Sequence, residues 1–274
     1  VRYGVALPTG GECGDPTFLV ELSESAEQTG WDGVFLEDYI CYQGDPAKPT
    51  CDTWTALAAV AMRTTTITLG IEVVALTRRR PWKVAREAAT IDRLSGGRLV
   101  VGFGIGDEGD AGFTHFGEEI DTRRRAQLLD EGLEIVAGLW RGEPFSFHGR
   151  HFRVDEVTFL PTPLQRPRIP IWIGGGYPNP RAIERALRWD GSCMYRRSGG
   201  PLRGDDVREL RRRAGDRQWT QAVGGWERRD DLDEELQHRS EVEAAGADWW
   251  VEWIAPGERE TMRAAVARGP LRVE

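Results

Sequence analysis

Eight short apolar segments, each followed by a stretch of helical periodicity, succeed one another along the 274 residues of the chain. In order they read RYGVAL, GVFLE, ITLGIEVVA, RLVVGFG, IPIWIG, GSCMY, TQAVGG and DWWVEWI. None keeps a strict apolar–polar alternation, which is the mark of strands covered on both faces and therefore of a parallel sheet. The stretches between them carry helix signals. Asp15-Pro16 and Gly30 bracket the first, in which Phe18, Leu22 and Ala26 share one face, and Asp52 caps the second. Pro81 opens the third and Gly96-Gly97 closes it. A long helix through RRRAQLLDEGLEIVAGLW and a hairpin over 145–154 stand between the fourth and fifth strands. The spacing predicts an α/β fold, a single (β/α)8 TIM barrel over residues 1–274 with a hairpin insertion between strands 4 and 5. An open doubly wound sheet is the alternative. It more often has fewer strands and a phosphate turn after the first, and VALPTGGECG lacks the G-x-G-x-x-G spacing.

Composition narrows the function. A formal net charge of −8 argues against non-specific nucleic-acid binding, so an anionic cofactor must be held by local dipoles or a few arginines. No apolar run is long enough to span a bilayer, and VRYGVALPTG lacks the organisation of a signal peptide, so the expected location is cytoplasmic with no membrane partner. Cys13, Cys41, Cys51 and Cys193 have neither C-x-x-C nor zinc spacing and read as free thiols. His148 and His151 fall in FSFHGRHFRV, a hairpin with a His-Gly turn and no third ligand, so no metal is expected.

In a barrel of this kind the site is built just past the C-terminal ends of the strands. Those ends are rich in glycine, carboxylate and aromatic residues. Gly174-Gly175-Gly176, between the fifth strand and the next helix, reads as a phosphate cradle, against a plain tight βα turn. Gly102, Gly104 and Gly106 clear space for a ring against main chain, or serve barrel packing. Asp38 follows Glu37 at the second strand end; it is an acid, base or substrate-orienting group, or else it caps its own loop. The same choice holds for Asp107 and Glu108. Arg196 and Arg197 clamp an anionic substrate or are solvated surface, and Trp226 and Trp253 enclose an apolar substrate or cover the mouth.

The blocks WDGVFLEDY, ITLGIEVVALTRRRPWKVAREAATIDRLSGGRLVVGFGIGD, GRHFRVDEVTFLPTPLQRPRIPIWIGGG and GADWWVEWIAPG resemble, in order, those of the bacterial-luciferase-like monooxygenase superfamily, in particular its flavin- or F420-dependent oxidoreductases. The resemblance implies F420, or alternatively FMN, at the mouth, with phosphate at Gly174–Gly176. It implies a ring against a bulge of the third strand at Ile71, Glu72 and Val73, containing a non-prolyl cis peptide at Glu72-Val73. Gly104, Ile105 and Gly106 then line the ring edge. Asp38-Tyr39 and Asp107 occupy the places of an Asp-His pair and an acidic residue in F420-dependent members, which makes Asp38, Tyr39 and Asp107 the expected catalytic set. Two departures stand out: Tyr39 replaces a histidine, and Ile105 replaces the arginine with which luciferases hold FMN phosphate. Both turn the expectation from light emission towards hydride transfer with F420 and a small organic substrate. An FMN-dependent monooxygenase is the runner-up. A flavin carrier without catalysis and a cofactor-free enzyme for a phosphorylated metabolite are rivals from other classes. A small-molecule substrate, a separate flavin or F420 reductase and a homodimer are the partners compatible with the resemblance.

Overall fold

The computed structural model describes residues 1–107 and 109–273. Ten strands run in chain order: β1 (Arg2–Leu7), β2 (Gly33–Leu36), β3 (Thr68–Ala75), β4 (Leu99–Gly104), β5 (Phe145–His148), β6 (Arg153–Val157), β7 (Ile171–Tyr177), β8 (Gly191–Arg196), β9 (Thr220–Trp226) and β10 (Trp249–Trp253). Eight of them close a parallel barrel in the order β1-β10-β9-β8-β7-β4-β3-β2, the (β/α)8 fold that the alternation predicts; β5 and β6 pair only with each other, as an antiparallel hairpin. The hairpin runs three residues beyond the expected Val154. Its loop is pinned by Glu131, which accepts N–H bonds from Arg150, His151 and Phe152 at 2.8–3.0 Å. His148 and His151 take separate partners, Asp155 and Gln127.

The helices are α1 (Pro16–Gln28), α2 (Thr53–Arg63), α3 (Pro81–Leu94), α4 (Ala111–Thr114), α5 (Thr122–Leu139), α6 (Pro180–Ala186), α7 (Gly204–Ala214), α8 (Leu232–Ala244) and α9 (Arg259–Ala267). A short polar side chain caps several of them. Asp15 accepts from Thr17 N, Asp52 from Thr55 N, Asp121 from Arg124 N and Asn179 from Arg181 N, each satisfying an otherwise unpaired first-turn donor. Phe18, Leu22 and Ala26 of α1 are fully buried, as their common face requires. No helix among the described residues is long and apolar enough to cross a membrane.

Strand alternation divides the apolar residues into two layers. Outward side chains such as Val5, Val34 and Leu69 join the helices in one cluster, while Phe35, Val100, Trp172 and Trp249 fill the barrel interior in another. Phe35 packs against Trp172 at 5.7 Å and edge-on against Trp249 at 5.4 Å between ring centres. Room for its ring comes from Gly4 and Gly70, where an added Cβ would lie 2.5 and 2.3 Å from Phe35 carbons.

Outside the barrel, Glu252 of β10 is fully buried and joins three arginines. Its carboxylate accepts from Arg228 Nε at 2.9 Å, Arg239 Nη2 at 2.9 Å and Arg268 Nη2 at 2.5 Å. Arg239, itself 1% exposed, also pairs with Glu235, so this cluster ties α8 and the α9 terminus to the last strand. Breaking a buried pair from one side leaves an uncompensated charge. Glu252→Ala is therefore expected to lower stability by about 3–5 kcal/mol in denaturant unfolding. Arg263→Ala, which removes a solvent-screened surface pair with Glu21, should cost far less.

Candidate active site

The C-terminal ends of the barrel strands surround a cavity of about 2000 Å³. On the second strand, Phe35 points into the barrel, so Glu37 does as well; Asp38, which also lines the cavity, follows past the strand end. There the Asp38 side chain is wholly buried and grips Arg79, with Nε to Oδ2 at 3.0 Å and Nη2 to Oδ1 at 2.5 Å. Arg78 donates to the Asp38 carbonyl and to Asp110 Oδ2 at 2.6 Å. Both Asp38 carboxylate oxygens are thus engaged by one guanidinium, an arrangement that positions the loop.

The third strand bulges where the resemblance places the bulge. Its register with β4 passes from Ile71↔Val101 directly to Val74↔Phe103, and the Glu72–Val73 peptide is cis. Two consecutive residues, Glu72 and Val73, consequently line the mouth. Val73 accounts for much of the glycine pattern around it. A Cβ at Gly102, Gly104 or Gly174 would stand 3.1, 3.0 or 2.7 Å from a Val73 methyl.

The glycine run corrects the expectation of a turn. Gly174, Gly175 and Gly176 lie inside β7, paired with Cys193, Met194 and Tyr195 of β8, and the chain turns only at Tyr177-Pro178-Asn179. A Cβ at Gly175 would face Ala182 of α6 at 3.1 Å, whereas one at Gly176 would meet the Arg197 side chain at 2.4 Å. All three glycines border the mouth, and Gly175 also backs onto α6.

After β4, Ile105 and Gly106 line the cavity and their carbonyls accept from Arg125 Nη1 at 3.2 and 3.0 Å. A guanidinium from α5 thus reaches the loop in which Ile105 supplies none. Gly106 has φ +76, and a Cβ there would lie 2.4 Å from the Phe113 ring, so the position requires glycine. Asp107 is exposed, and its Oδ1 accepts from Gly109 N at 2.9 Å; Glu108 lies outside the described residues. Of the arginine pair, Arg197 lines the cavity, but Arg196 turns to Asp206 at 3.4 Å and does not. Trp226, 42% exposed, and Trp253 both line the wall, as does Tyr39, which meets Tyr42 edge-on at 5.1 Å.

Electrostatically, the cavity floor stands apart from its surroundings. Burial pushes the Glu37 carboxyl up to about 7, an effect partly offset by Tyr42 and Trp253 beside it. Burial alone pushes Glu72 up to about 8. Glu37 Oε2 and Glu72 Oε1 are shielded from water and have no hydrogen-bond partner among the described residues. Burial, then the nearby acids, raise the Tyr39 phenol to about 12, and the Cys193 thiol is raised by burial and by Glu72. Sequence reading placed Glu72 among the ring contacts and passed over Glu37; strand parity from Phe35 was the signal for the latter. No sequence signal marked Arg125.

These shifts carry a sign for stability. Below pH 4.5 Glu72 is protonated both folded and unfolded; as pH rises towards 8 the unfolded chain ionises first, and the folded state loses ground. Glu72→Gln removes that loss. The variant should gain stability relative to the native chain between pH 5 and pH 8, on the order of 2–3 kcal/mol by denaturant unfolding at both values. An unchanged difference at the two pH values would contradict the burial of this acid.

Comparison with known proteins agrees with the geometry. A family model described as luciferase-like monooxygenase matches residues 2–222. An F420-dependent glucose-6-phosphate dehydrogenase of Nakamurella multipartita is 32% identical over 170 residues, 60% of this chain and 48% of that one. An uncharacterised protein of Mycobacterium tuberculosis is 30% identical over 65% of each chain. The chain thus spans less than two thirds of the length of the curated relatives it matches. An F420-dependent secondary alcohol dehydrogenase superposes with a TM-score of 0.78 at 17% identity, covering 97% of this chain and 98% of that one. A monooxygenase of Streptomyces bottropensis does so with 0.73 at 25% identity, covering 97% and 96%. With the match running from the first barrel strand into the seventh, and the barrel, the bulge and the cavity at its mouth in place, the chain belongs to the luciferase-like monooxygenase family.

Proposed function

We propose that the chain is an oxidoreductase that uses F420 to exchange a hydride with a small organic substrate at this mouth. The observation that carries the reading is a set of three guanidinium groups around the cavity. Arg123, Arg181 and Arg197 line it and have no carboxylate partner among the described residues, in a chain of net charge −8 whose other arginines are largely paired. Such cations suit a cofactor whose long tail carries phosphate and carboxylates. The Nakamurella relative is named for F420, which supports the same choice.

The residues fit such a group. Val73 and the glycine positions 104 and 174 packed against it form a surface against which a flat ring can lie, and the unpartnered Glu37, Glu72 and Trp253 polar atoms await a ligand. Ile71, Glu72 and Val73 would hold one side of the ring, and the backbone of Gly104, Ile105 and Gly106 its edge. Gly174 and Gly176 with Arg197 would take the phosphate, and Arg123 and Arg181 the acidic tail. When bound, the deazaflavin accepts or donates the hydride. Tyr39, Trp226 and Trp253 restrict water around the substrate, and Asp38 holds the loop that carries Tyr39 through Arg78 and Arg79. Asp107, exposed and bonded within its own loop, is a rim contact for the tail or the substrate in this reading.

An FMN-dependent monooxygenase is the second reading. It is favoured by Arg125, which brings a guanidinium to the loop after β4, and by the Streptomyces monooxygenase. Calorimetric titration of both cofactors into one preparation separates the two. F420 is expected to bind at least tenfold more tightly than FMN. Arg181→Ala and Arg197→Ala should each weaken F420 about tenfold, the loss of one charge-assisted contact, and make binding less salt-sensitive. Submicromolar FMN binding without F420 binding would reverse the assignment.

A further inference from the structure

A second cavity, of about 420 Å³, lies at the end of the barrel opposite the mouth. Its position follows from the path of the chain. Pro167 and Arg168 come shortly before β7 and Trp189 shortly before β8, so these lining residues stand at the N-terminal ends of the barrel strands. The remaining wall is the C-terminal half of α5 together with β5. No residue lines both cavities.

Local pattern builds the apolar part of this site. Glu134, Ala137 and Gly138 recur at the spacing of one helix face, and Arg141 continues that face just past the end of α5. The two small residues leave a hollow, into which Phe145 packs: a Cβ at Gly138 would lie 2.2 Å from its ring. Phe147, two residues along β5, falls on the same side of the strand. Trp189 adds a third ring, with the Arg168 guanidinium over it at 5.4 Å. All three rings are partly buried against the core.

The polar groups around these rings are incompletely matched. Arg168 pairs with Asp190 through Nη2 at 2.7 Å, but its Nε is shielded from water and has no acceptor among the described residues. Glu134 and Arg141 are exposed, and among the described residues neither makes an ion pair, although pairs such as Lys83–Glu87 and Arg212–Glu209 form elsewhere on the helices. Seven residues separate them, about 10 Å along the helix, beyond the spacing at which side chains on one helix meet. A single unpaired surface charge is commonplace. One charge of each sign beside an aromatic cavity, with a guanidinium N–H left over, is a set that a ligand of matching polarity completes.

We propose that this cavity binds a free aromatic amino acid, with its carboxylate on Arg141 and Arg168 Nε, its ammonium on Glu134, and its ring among Phe145, Phe147 and Trp189. The unmatched charges sum to zero, so a zwitterion answers both. An aromatic acid without an amine would set like charge against Glu134, and an aromatic amine without an acid would do so against Arg141. Carboxylate recognition by guanidinium groups supplies charge-assisted bonds, and the three rings favour an aromatic body over an aliphatic one. The volume falls within the range of small-ligand sites. The site is independent of the F420 reading.

Calorimetric titration of L-phenylalanine into the full chain without cofactor tests the proposal. One molecule is expected to bind, with Kd below about 1 mM. Phenylpropionate, which lacks the ammonium, phenethylamine, which lacks the carboxylate, and glycine, which lacks the ring, should each bind at least about tenfold more weakly. Glu134→Ala and Arg141→Ala, both at exposed positions, should each weaken phenylalanine about tenfold with near-ultraviolet dichroism unchanged, and Arg141→Lys should restore part of the loss. No binding by the folded chain up to about 10 mM phenylalanine, equal binding of either charged analogue, or unchanged binding in either alanine variant overturns the proposal. A loss found in Arg197→Ala and not in Arg141→Ala also overturns it, because the ligand then sits at the mouth. Phenylalanine binding as expected in a chain that fails to bind F420 supports this site while the cofactor reading falls.

Discussion

Phe35, Trp172 and Trp249 fill the barrel interior, and the contents of the mouth depend on that packing. Three aromatic rings in mutual contact form a plug around which eight parallel strands can close without an internal void. Gly4 and Gly70 are obliged to be small because the Phe35 ring occupies the space of their side chains. Above the plug the interior positions bear small or acidic groups, so a cavity opens there. Because Phe35 faces inward, Glu37 follows it inward two residues later, and the Asp38 carboxylate is left to meet Arg79.

The bulge in β3 acts on top of this frame. A regular strand would send one of Glu72 and Val73 to the helices. The register shift turns both into the mouth, one as a carboxyl among protein atoms, the other as a branched methyl surface pressed against three glycine positions. The floor thus combines an apolar face with two acids whose burial weakens their ionisation.

Charge is sorted by depth. Among the described residues, acids without cations lie at the floor, ion pairs such as Arg78–Asp110 hold the surrounding loops, and Arg123, Arg181 and Arg197, without carboxylate partners, stand at the rim. The rim keeps a local positive potential despite the net negative charge of the chain, because arginines within a few ångströms outweigh a diffuse field screened by salt.

Local pattern was enough to determine the strand–helix alternation, the caps at Asp15 and Asp52, the parallel barrel and the inserted hairpin, because side-chain periodicity and turn chemistry act over a few residues. The bulge at Glu72-Val73 was legible only through family resemblance; nothing in the local propensity of GIEVVAL asks for it. Tertiary structure alone decided the roles of the acids and arginines. Asp38 became a buried partner of Arg79, Arg196 turned to Asp206, Arg125 arrived from a helix about twenty residues along, and the glycine run stayed extended within β7. These outcomes depend on which distant side chain fills the adjacent space, and on burial, which sets how an acid ionises. Neither can be read from the order of residues along one strand.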